Sequence, residues 1–398
     1  MPTLQRSPAR LRRRITAFTP TQLLPMSSPL RVGLIGLGNV ALAHLEGYRG
    51  LDQIEVVAGA DPRADRAAMM AGRYGFAPFT DYRTMLAEAR LDIVAVLSTV
   101  VTHREAVEAA AERGLHVLCE KPIAITLEDA DRMIAACRRH GVKFFYGSSY
   151  RFLPPVAKAR ELIRAGVLGE VRLLTETFIG GHGPAGYHDM GTHHYPAGGP
   201  GGSGNGLVDH GIHLVDIFPW LIDSDIASVT GRGQRSGATP VAEYLAMEFQ
   251  NGALGHLVYD DATWSADLPS EGLFSWGPTW DQMAAGEAGE RGGQWQQHPG
   301  SIRVYGSEGT LRIFHYANIL FLRTKSGMTQ VPVSGRPMPG QFGAEMASLA
   351  ASIREDRPVE VPGEAGRRAL EAVLGVYRSM ETGERVRLGP SGLPGGSA

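Results

Sequence analysis

The triplet Glu120, Lys121 and Pro122 places a carboxylate, an ammonium group and a residue without a backbone N–H directly behind the apolar run "LHVLC". Such a run is typical of a buried strand, so the charges begin where the strand ends. Two interpretations are open: a solvated strand end, or a catalytic lysine at the mouth of a cofactor cleft. Pro122 fixes its own φ and would help to aim Lys121. The sequence leaves open whether the bond between them is cis.

Further polar side chains that could take part in catalysis occur in two places. One group directly follows another apolar run, and the other lies within a later apolar segment. Ser98, Thr99 and His103 come after "DIVAVL". Asp209 and His213 are four residues apart in "GLVDHGIHLVD", a spacing that places both on one face of a helix. An imidazole, with an unperturbed pKa of about 6.5, suits proton transfer near neutral pH. Both residues can also be ordinary members of the helix.

A glycine-rich turn behind the first strand is typical of a dinucleotide site. "VGLIGLGNVALAH" has Gly36, Gly38 and Ala41 in a G-x-G-x-x-[GA] arrangement, with Asn39 and Val40 between the last two. The first glycine permits a tight turn, and the second lets the backbone approach a pyrophosphate. Because a strand precedes the motif and a helix can follow it, we predict dinucleotide binding here.

An acidic residue ends the second strand at the spacing expected for a group that binds ribose. Asp61 follows "IEVVAGA", and its carboxylate would bond the ribose hydroxyls and repel a 2′-phosphate. Arg63 and Arg66 are close in sequence and would soften that preference, and Asp61 can also cap the helix that begins near Pro62. We therefore expect NAD as the cofactor, rather than NADP.

The elements that must position these residues follow from the pattern along the chain. Between residues 30 and 150, five short apolar strands alternate with helices, which predicts an α/β Rossmann domain with a doubly wound parallel sheet. After residue 150, seven strands separated by turns predict an α+β domain with a large, mostly antiparallel open sheet. The predicted boundaries are a tail or mis-assigned start at 1–28, the Rossmann domain at 29–150, a substrate-binding and oligomerisation domain at 151–390, and a flexible tail at 391–398.

Composition limits the classes of function. With a net charge of −2 over 398 residues, the chain offers no electrostatic footprint for nucleic acid or for an anionic membrane. No apolar run approaches the roughly 20 residues that a membrane-spanning helix needs. Cys119 and Cys137 are predicted to be small buried residues in a reducing compartment, which favours a cytoplasmic location.

The N-terminus differs in composition, because residues 1–40 contain no Asp or Glu while "SPARLRRRIT" is densely basic. A transit or twin-arginine export signal is one interpretation, although no continuous apolar segment follows it. The others are a disordered tail and a translation start assigned too early, with Met26 as the true first residue.

A Rossmann domain with an E-K-P motif and a later D-x-G-x-H helix resembles the glucose–fructose oxidoreductase / inositol dehydrogenase / rhizopine-catabolism (Gfo/Idh/MocA) family. The resemblance covers residues 30–388 and implies hydride transfer between a nicotinamide cofactor and hydroxyl groups of sugars, cyclitols and related polyols. It also implies a substrate site, and often an oligomer interface, on the second sheet, so we expect a homo-oligomer, either dimer or tetramer. Where the family often reads T-P-N-x-x-H, this chain has T-V-V-T-H from Thr99 to His103.

The resemblance implies that Lys121, Asp209 and His213 are catalytic and contact the substrate. His213 would be the acid/base, Lys121 would stabilise the developing alkoxide or itself accept the proton, and Asp209 would orient the substrate or His213. Glu120 would contact the nicotinamide region, position Lys121 or be a structural carboxylate. Arg151 would bind substrate or form a structural ion pair. The expected cofactor-binding residues are Gly36, Gly38, Asn39, Val40, Asp61, Arg63, Ser98, Thr99, His103, Glu120 and Lys121.

Two long irregular segments have no readable code for the substrate. The first is rich in glycine and histidine, and a metal site is one interpretation of His182, His188, His193, His194 and His210, with Asp189 nearby. Since the resemblance implies a metal-free mechanism, no metal is expected. The second contains Trp264, Trp276, Trp280 and Trp295, which would line a polyol pocket or pack in the core.

Two other functions compete with a simple dehydrogenase. One is an enzyme that keeps NAD bound and uses transient oxidation for glycoside cleavage, epimerisation or elimination. The other is a non-catalytic dinucleotide-binding regulator. A regulator would be expected to lose the lysine or the histidine, and both Lys121 and His213 are present.

Overall fold

The computed structural model describes residues 28–179, 206–236, 239–260 and 301–389. At a few positions inside these ranges, Asp209 among them, only the backbone is described. The predictions for the N-terminal and C-terminal tails, for four of the segment histidines with Asp189, and for the four tryptophans of the second irregular segment therefore lie outside the described residues.

The first sheet has six parallel strands in the order β3-β2-β1-β4-β5-β6. The strands are β1 (Leu30–Ile35), β2 (Ile54–Ala60), β3 (Ala77–Phe79), β4 (Ile93–Val96), β5 (His116–Glu120) and β6 (Phe144–Gly147). The helices are α1 (Asn39–Tyr48), α2 (Ala64–Tyr74), α3 (Tyr82–Glu88), α4 (His103–Ala111) and α5 (Leu127–Arg139). The predicted doubly wound parallel sheet is confirmed, and its strand order is the one that binds dinucleotides at the carboxyl ends of the strands.

One strand of this sheet, β3, was not predicted. It has three residues, lies at the edge of the sheet and contains Pro78, which has no N–H for a second neighbour. A segment this short has no readable alternation of apolar and polar residues, so the sequence pattern predicted five strands where the structure has six.

In the part of the chain that the structure describes, the second sheet has nine strands, in the order β14-β13-β12-β11-β7-β10-β9-β8-β15. The strands are β7 (Val171–Ile179), β8 (Ile226–Ser236), β9 (Thr239–Phe249), β10 (Leu254–Asp260), β11 (Ser301–Gly306), β12 (Gly309–Phe314), β13 (Ile319–Thr324), β14 (Gly327–Val331) and β15 (Val386–Arg387). Within the described residues, only β7 and β10 of this sheet pair in parallel, so the mostly antiparallel sheet is confirmed. The pattern missed β14, which has no buried residue, and β15, which has two residues.

Four more helices complete the described chain: α6 (Pro154–Arg164), α7 (Ile212–Ile222), α8 (Gly340–Arg354) and α9 (Gly363–Thr382). Met346 and Leu349 of α8 belong to the core of the first sheet, although α8 follows the second sheet in sequence. Helix α9 contributes Leu370 to that core and Val373 and Val376 to the core of the second sheet. None of the helices in the described ranges combines the length and hydropathy of a membrane span.

The segment predicted as one helix around His213 has two parts. Gly206–Gly211 forms a π-helical turn, and the regular helix α7 begins at Ile212. Wide turns of this kind occur often at functional sites. A second short element, the 3-10 turn Ser149–Phe152, follows β6 and leads into α6. Both turns contribute side chains to the site described below.

Candidate active site

The turn between β1 and α1 can only be built with glycine at its first position. Gly36 has φ +89°, and a Cβ there would lie 2.6 Å from the Cα of Ser98. At Gly38, by contrast, there is space for a Cβ, which would meet only Arg66 Nη1, at 3.9 Å. Helix α1 begins at Asn39 with no side-chain cap and no acidic residue in its first turn. The open space beside Gly38 at this helix N-terminus fits a pyrophosphate.

Asp61 lies at the end of β2 and is tied to the glycine turn. Its Oδ2 accepts a hydrogen bond from the N–H of Leu37 at 3.0 Å, and its Oδ1 accepts one from the N–H of Arg63 at 3.0 Å. Arg66 Nη1 lies 3.5 Å from Oδ2, whereas the guanidinium of Arg63 pairs with Asp65 at 2.9 Å. The carboxylate is thus positioned beside the space at Gly38, where the ribose of a dinucleotide would follow the pyrophosphate.

His103 joins the ends of β4 and β5. Its Nε2 lies 2.9 Å from the carbonyl oxygen of Ser98, and its Nδ1 lies 3.1 Å from that of Pro122. The ring is buried, and burial lowers its pKa below the usual value. The hydroxyl groups of Ser98 and Thr102 are hydrogen-bonded to each other, while Thr99 is exposed. Both ring nitrogens of His103 thus face backbone carbonyl oxygens. The expected contact of His103 with the cofactor stays a prediction.

Glu120 connects the backbone of Lys121 to the first helix. One oxygen, Oε2, accepts the backbone N–H of Lys121 at 2.9 Å, and the other lies 2.8 Å from His44 Nε2. The second ring nitrogen of His44 contacts the hydroxyl of Tyr48 at 2.8 Å. The bond between Lys121 and Pro122, left open by the sequence, is cis. Of the three interpretations of Glu120, these contacts favour the one in which it positions Lys121.

A second buried carboxyl, Glu345 of α8, lies beside Glu120 and His44. Ligand atoms of the three residues are within 4.8 Å of one another, so this group has the composition of a metal site. Burial first, and then the charges of Glu120 and Asp216, raise the pKa of Glu345 well above its usual value. In the absence of an ion, a proton on Glu345 would reduce the negative charge of this group. The expectation that no metal takes part stays a prediction.

His213 lies at the start of α7 and is stacked on Tyr150. The two ring centroids are 4.0 Å apart and the planes differ by 7°. Burial, and after it the positive charge of Lys121 and the nearby rings of His210 and His315, lower the pKa of His213 well below its usual value. The ring is thus neutral at neutral pH and lies within electrostatic reach of Lys121. The structure brings these two predicted catalytic residues together, and of Asp209 it describes only the backbone.

Arg151 forms a buried ion pair. Its Nε and Nη2 donate to the two oxygens of Asp216 at 2.7 and 2.6 Å, and the hydroxyl of Ser148 donates to the same carboxylate. Its guanidinium lies 5.5 Å from the ring centroid of Trp220. Of the two interpretations of Arg151, these contacts support the structural ion pair. They do not support substrate binding through the guanidinium.

Sequence reasoning missed the supporting residues of the site. They are His44, Tyr150, Glu176, Asp216, His315 and Glu345, and all of them are buried. A signal exists for some: Asp216 lies in the apolar run "HLVDIF", and Glu176 lies in the strand "LLTETF" on the same face as Leu174. A charged residue at an inward position predicts a buried partner, although it does not say which one.

Two family models match the chain. Residues 30–148 match the oxidoreductase family with an NAD-binding Rossmann fold, and residues 156–312 match the GFO/IDH/MocA C-terminal domain. Together they include Lys121 and His213, and the first includes the glycine turn.

Relatives named as dehydrogenases agree with these matches. The D-glucoside 3-dehydrogenase of Escherichia coli is 29% identical over 388 residues, which are 91% of this chain and 98% of that protein. The myo-inositol 2-dehydrogenase of Thermotoga maritima is 28% identical over 57% of this chain and 67% of its own length.

Solved structures share the fold. An oxidoreductase from Agrobacterium radiobacter in complex with NAD+, L-tartaric acid and magnesium is 19% identical with a TM-score of 0.73, over 90% of this chain and 98% of that one. An aldose-aldose oxidoreductase from Caulobacter crescentus is 21% identical with a TM-score of 0.73, over 90% of this chain and 100% of that one. The architecture and both family matches agree, and the chain therefore belongs to the GFO/IDH/MocA family of oxidoreductases with an NAD-binding Rossmann fold.

Proposed function

We propose that this oxidoreductase oxidises a secondary hydroxyl group of a sugar, cyclitol or related polyol, with NAD as the hydride acceptor and with Lys121 and His213 at the reacting centre. One observation carries the proposal: the buried ring of His213 stacks on Tyr150, which follows β6, the neighbour of the strand that ends directly before Lys121. The positive charge of Lys121 accordingly contributes to the lowered pKa of His213. The cofactor edge and a proton-transfer group thus meet at one place.

Bound NAD supplies the hydride acceptor in this reaction. Neutral His213 accepts the proton of the substrate hydroxyl, and the electron pair of the broken O–H bond forms the new C=O bond as hydride leaves the carbon. The ammonium group of Lys121 stabilises the negative charge that develops on the oxygen. Glu120 holds the backbone of Lys121, and Asp209 is proposed to orient the substrate or His213.

The proposed cofactor contacts follow the carboxyl ends of the strands. Backbone at Gly36 and Gly38, with the first residues of α1, would bind the pyrophosphate, and Asp61 would bind the ribose hydroxyls. The contacts proposed for Asn39, Val40, Arg63, Ser98, Thr99, His103, Glu120 and Lys121 rest on the family resemblance.

The substrate class is narrowed by a relative that aligns over 91% of the chain. That relative is a D-glucoside 3-dehydrogenase, whereas the inositol dehydrogenase aligns over little more than half of the chain. We therefore propose a glucoside, or a sugar of similar ring structure, ahead of an inositol. The alternative of an enzyme that retains NAD and cleaves or epimerises its substrate is not favoured by these relatives.

The test is a panel of glucosides, aldoses, anhydrosugars and inositols, each with NAD or NADP, with the absorbance of the reduced nicotinamide as the readout. Accumulation of reduced cofactor in proportion to oxidised sugar supports the proposal. Consumption of a glycoside without reduced cofactor accumulating would instead identify the NAD-retaining reaction.

We further propose a homo-oligomer, dimer or tetramer, that works in the cytoplasm, where a dissociable nicotinamide cofactor is recycled. Tyr244 and Leu254 support the oligomer, because these large apolar side chains are exposed on neighbouring strands β9 and β10 of the open sheet. Light scattering coupled to size exclusion measures the mass, and the variant Leu254→Glu should shift it toward the monomer.

A further inference from the structure

Tyr150 lies at the centre of a group of aromatic rings beneath the site, which we name the Tyr150 cluster. Its ring centroid is 4.0 Å from that of His213, 5.2 Å from that of His315 and 6.1 Å from that of His210. The contact with His213 is parallel, and the other two are inclined by 42° and 74°. Among the ring contacts of Tyr150 in the described residues, the one with His213 is the closest.

The hydroxyl of Tyr150 is held from the second sheet. It contacts the hydroxyl of Tyr316, and it lies 3.5 Å from His210 Nδ1. The opposite nitrogen of His210, Nε2, lies 2.9 Å from Oε2 of Glu176. In the neutral tautomer of His210 whose Nε2–H donates a hydrogen bond to Glu176, Nδ1 carries no hydrogen and can accept a hydrogen bond from the hydroxyl of Tyr150. The result is a buried chain from Glu176 through His210 to Tyr150.

The carboxylate of Glu176 interacts with His210. Burial opposes ionisation of Glu176, but its electrostatic interaction and hydrogen bond with His210, and the nearby ring of His315, bring its pKa below the usual value. Its other oxygen, Oε1, has no hydrogen-bond partner among the described residues, and His315 Nε2 is 3.6 Å away. Burial lowers the pKa of His315 to about 4, so at neutral pH that ring is neutral.

The rings of the Tyr150 cluster, and the carboxylate of Glu176 that contacts His210, come from separate parts of the fold. Tyr150 is in the 3-10 turn after β6, Glu176 is in β7, and His210 is in the π-helical turn. His315 and Tyr316 follow β12. Since β6 belongs to the NAD-binding sheet and β7 to the second sheet, the chain of contacts spans the junction between the two sheets.

We propose that Glu176 and His210 are positioning residues that hold Tyr150 against the ring of His213 and so fix the orientation in which His213 exchanges a proton with the substrate. The inference rests on the proposed role of His213 in the reaction. A stacked phenol ring without its hydroxyl contacts can tilt or slide, and the imidazole above it then loses its fixed plane. Proton transfer is sensitive to that plane, because the accepting nitrogen must face the hydroxyl.

The direct test observes the stacking itself, by NMR of protein labelled with carbon-13 at its histidine rings. In the stacked arrangement the carbon-bound ring protons of His213 lie over the face of Tyr150 and are shifted upfield by its ring current. The signal is assigned by its absence in His213→Asn. We expect Glu176→Gln and His210→Asn to move it downfield. The control is His256→Asn, a half-buried histidine of β10 whose ring neighbour is Tyr244, outside the cluster.

The kinetic test uses methyl β-D-glucoside and NAD with the same variants. Glu176→Gln and His210→Asn should lower kcat by roughly threefold to tenfold, the range of an aromatic pair contact, with KM for the cofactor unchanged. Glu176→Asp, which retains the carboxylate, should recover part of the loss. A His213 signal that does not move in Glu176→Gln overturns the inference whatever the rates show. Full turnover in His213→Asn would instead contradict the proposed function and leave the stacking result standing.

Discussion

Lys121 and His213 come from different domains, and the positive charge of the first lowers the pKa of the second. Lys121 follows β5 of the NAD-binding sheet, directly after the buried Glu120. His213 is in the first turn of α7, which packs in the core of the second sheet. A lysine and a neutral imidazole at one junction are the two groups that alcohol oxidation needs: one for the developing negative charge and one for the proton.

Replacing Lys121 by methionine should raise the pKa of His213. The positive charge of Lys121 favours the neutral imidazole, so its removal favours the protonated form. Burial remains and is the larger cause, and the pKa of His213 should therefore stay below its usual value. An NMR titration of the His213 ring measures the shift. The control is Lys158→Met, at a partly exposed lysine of α6 that pairs with Glu161. An unchanged His213 titration in Lys121→Met would show that the two groups do not interact.

The oxidation rate should persist in acid to a lower pH than an ordinary histidine would allow. His213 acts as a base only when neutral, and its lowered pKa keeps it neutral below the usual value of 6.5. The acid limb of kcat/KM for methyl β-D-glucoside should lie below that value, and in an arginine variant of His213 turnover should be lost at all pH values. An acid limb at or above 6.5 would contradict the assignment of His213 as the base.

Glu345→Gln should stabilise the fold, and the gain should grow as pH rises. Because burial raises the pKa of Glu345, the folded chain must keep a proton that the unfolded chain releases above its ordinary pKa of 4.5. Stability is therefore lost as pH rises from that value toward the folded pKa. Glutamine needs no such proton, and we expect a gain of roughly 1–3 kcal/mol near neutral pH. Thermal unfolding at several pH values measures it, with exposed Glu355→Gln as the control.

Arg151→Met should destabilise the protein by roughly 3–5 kcal/mol, because it leaves the carboxylate of Asp216 buried without its cation. The double variant Arg151→Met with Asp216→Leu should recover most of that loss, since it removes both charges. Arg164→Met breaks an ion pair with Asp223 that is half exposed, and it should cost roughly 1 kcal/mol or less. Urea unfolding measures all three. A double variant as unstable as Arg151→Met would argue against an ion pair as the main function of Arg151.

Asp61→Asn should weaken NAD binding by about tenfold, which corresponds to about 1.4 kcal/mol, and should narrow the difference between NAD and NADP. The carboxylate accepts the N–H groups of Leu37 and Arg63, and an amide can keep only part of these bonds while losing the charge. Calorimetry with each cofactor measures both effects. The control is Asp65→Asn, on the exposed first turn of α2. Equal affinities of the wild type and Asp61→Asn for NAD would contradict the placement of Asp61 in the cofactor site.

The local parts of this fold could be predicted because their causes are local. The turn at Gly36 needs a positive φ, and Asp61 and Glu120 each follow an apolar strand, so motif and periodicity place them at the same edge of a parallel sheet. Strands without such a signal were missed: β3 is short and contains proline, and β14 has no buried residue.

The contacts that support the site could not be predicted, because their partners are far apart in sequence. Glu120 is 76 residues from His44, Arg151 is 65 residues from Asp216, and His210 is 34 residues from Glu176. A polar residue in an apolar segment indicates that a partner exists, but the partner is chosen by how the two sheets and their helices pack. Tyr150 gives no polar signal at all, because a tyrosine after a buried strand is ordinary core composition.

The most direct measurement is the turnover of Lys121→Ala with a sugar substrate of the wild-type enzyme, made together with a titration of NAD binding by the same variant. Lys121 stabilises negative charge that exists only during the reaction, so we predict that turnover falls by about two orders of magnitude or more while the affinity for NAD changes little. Turnover equal to that of the wild type, with NAD still bound, would contradict the role of Lys121 at the reacting centre.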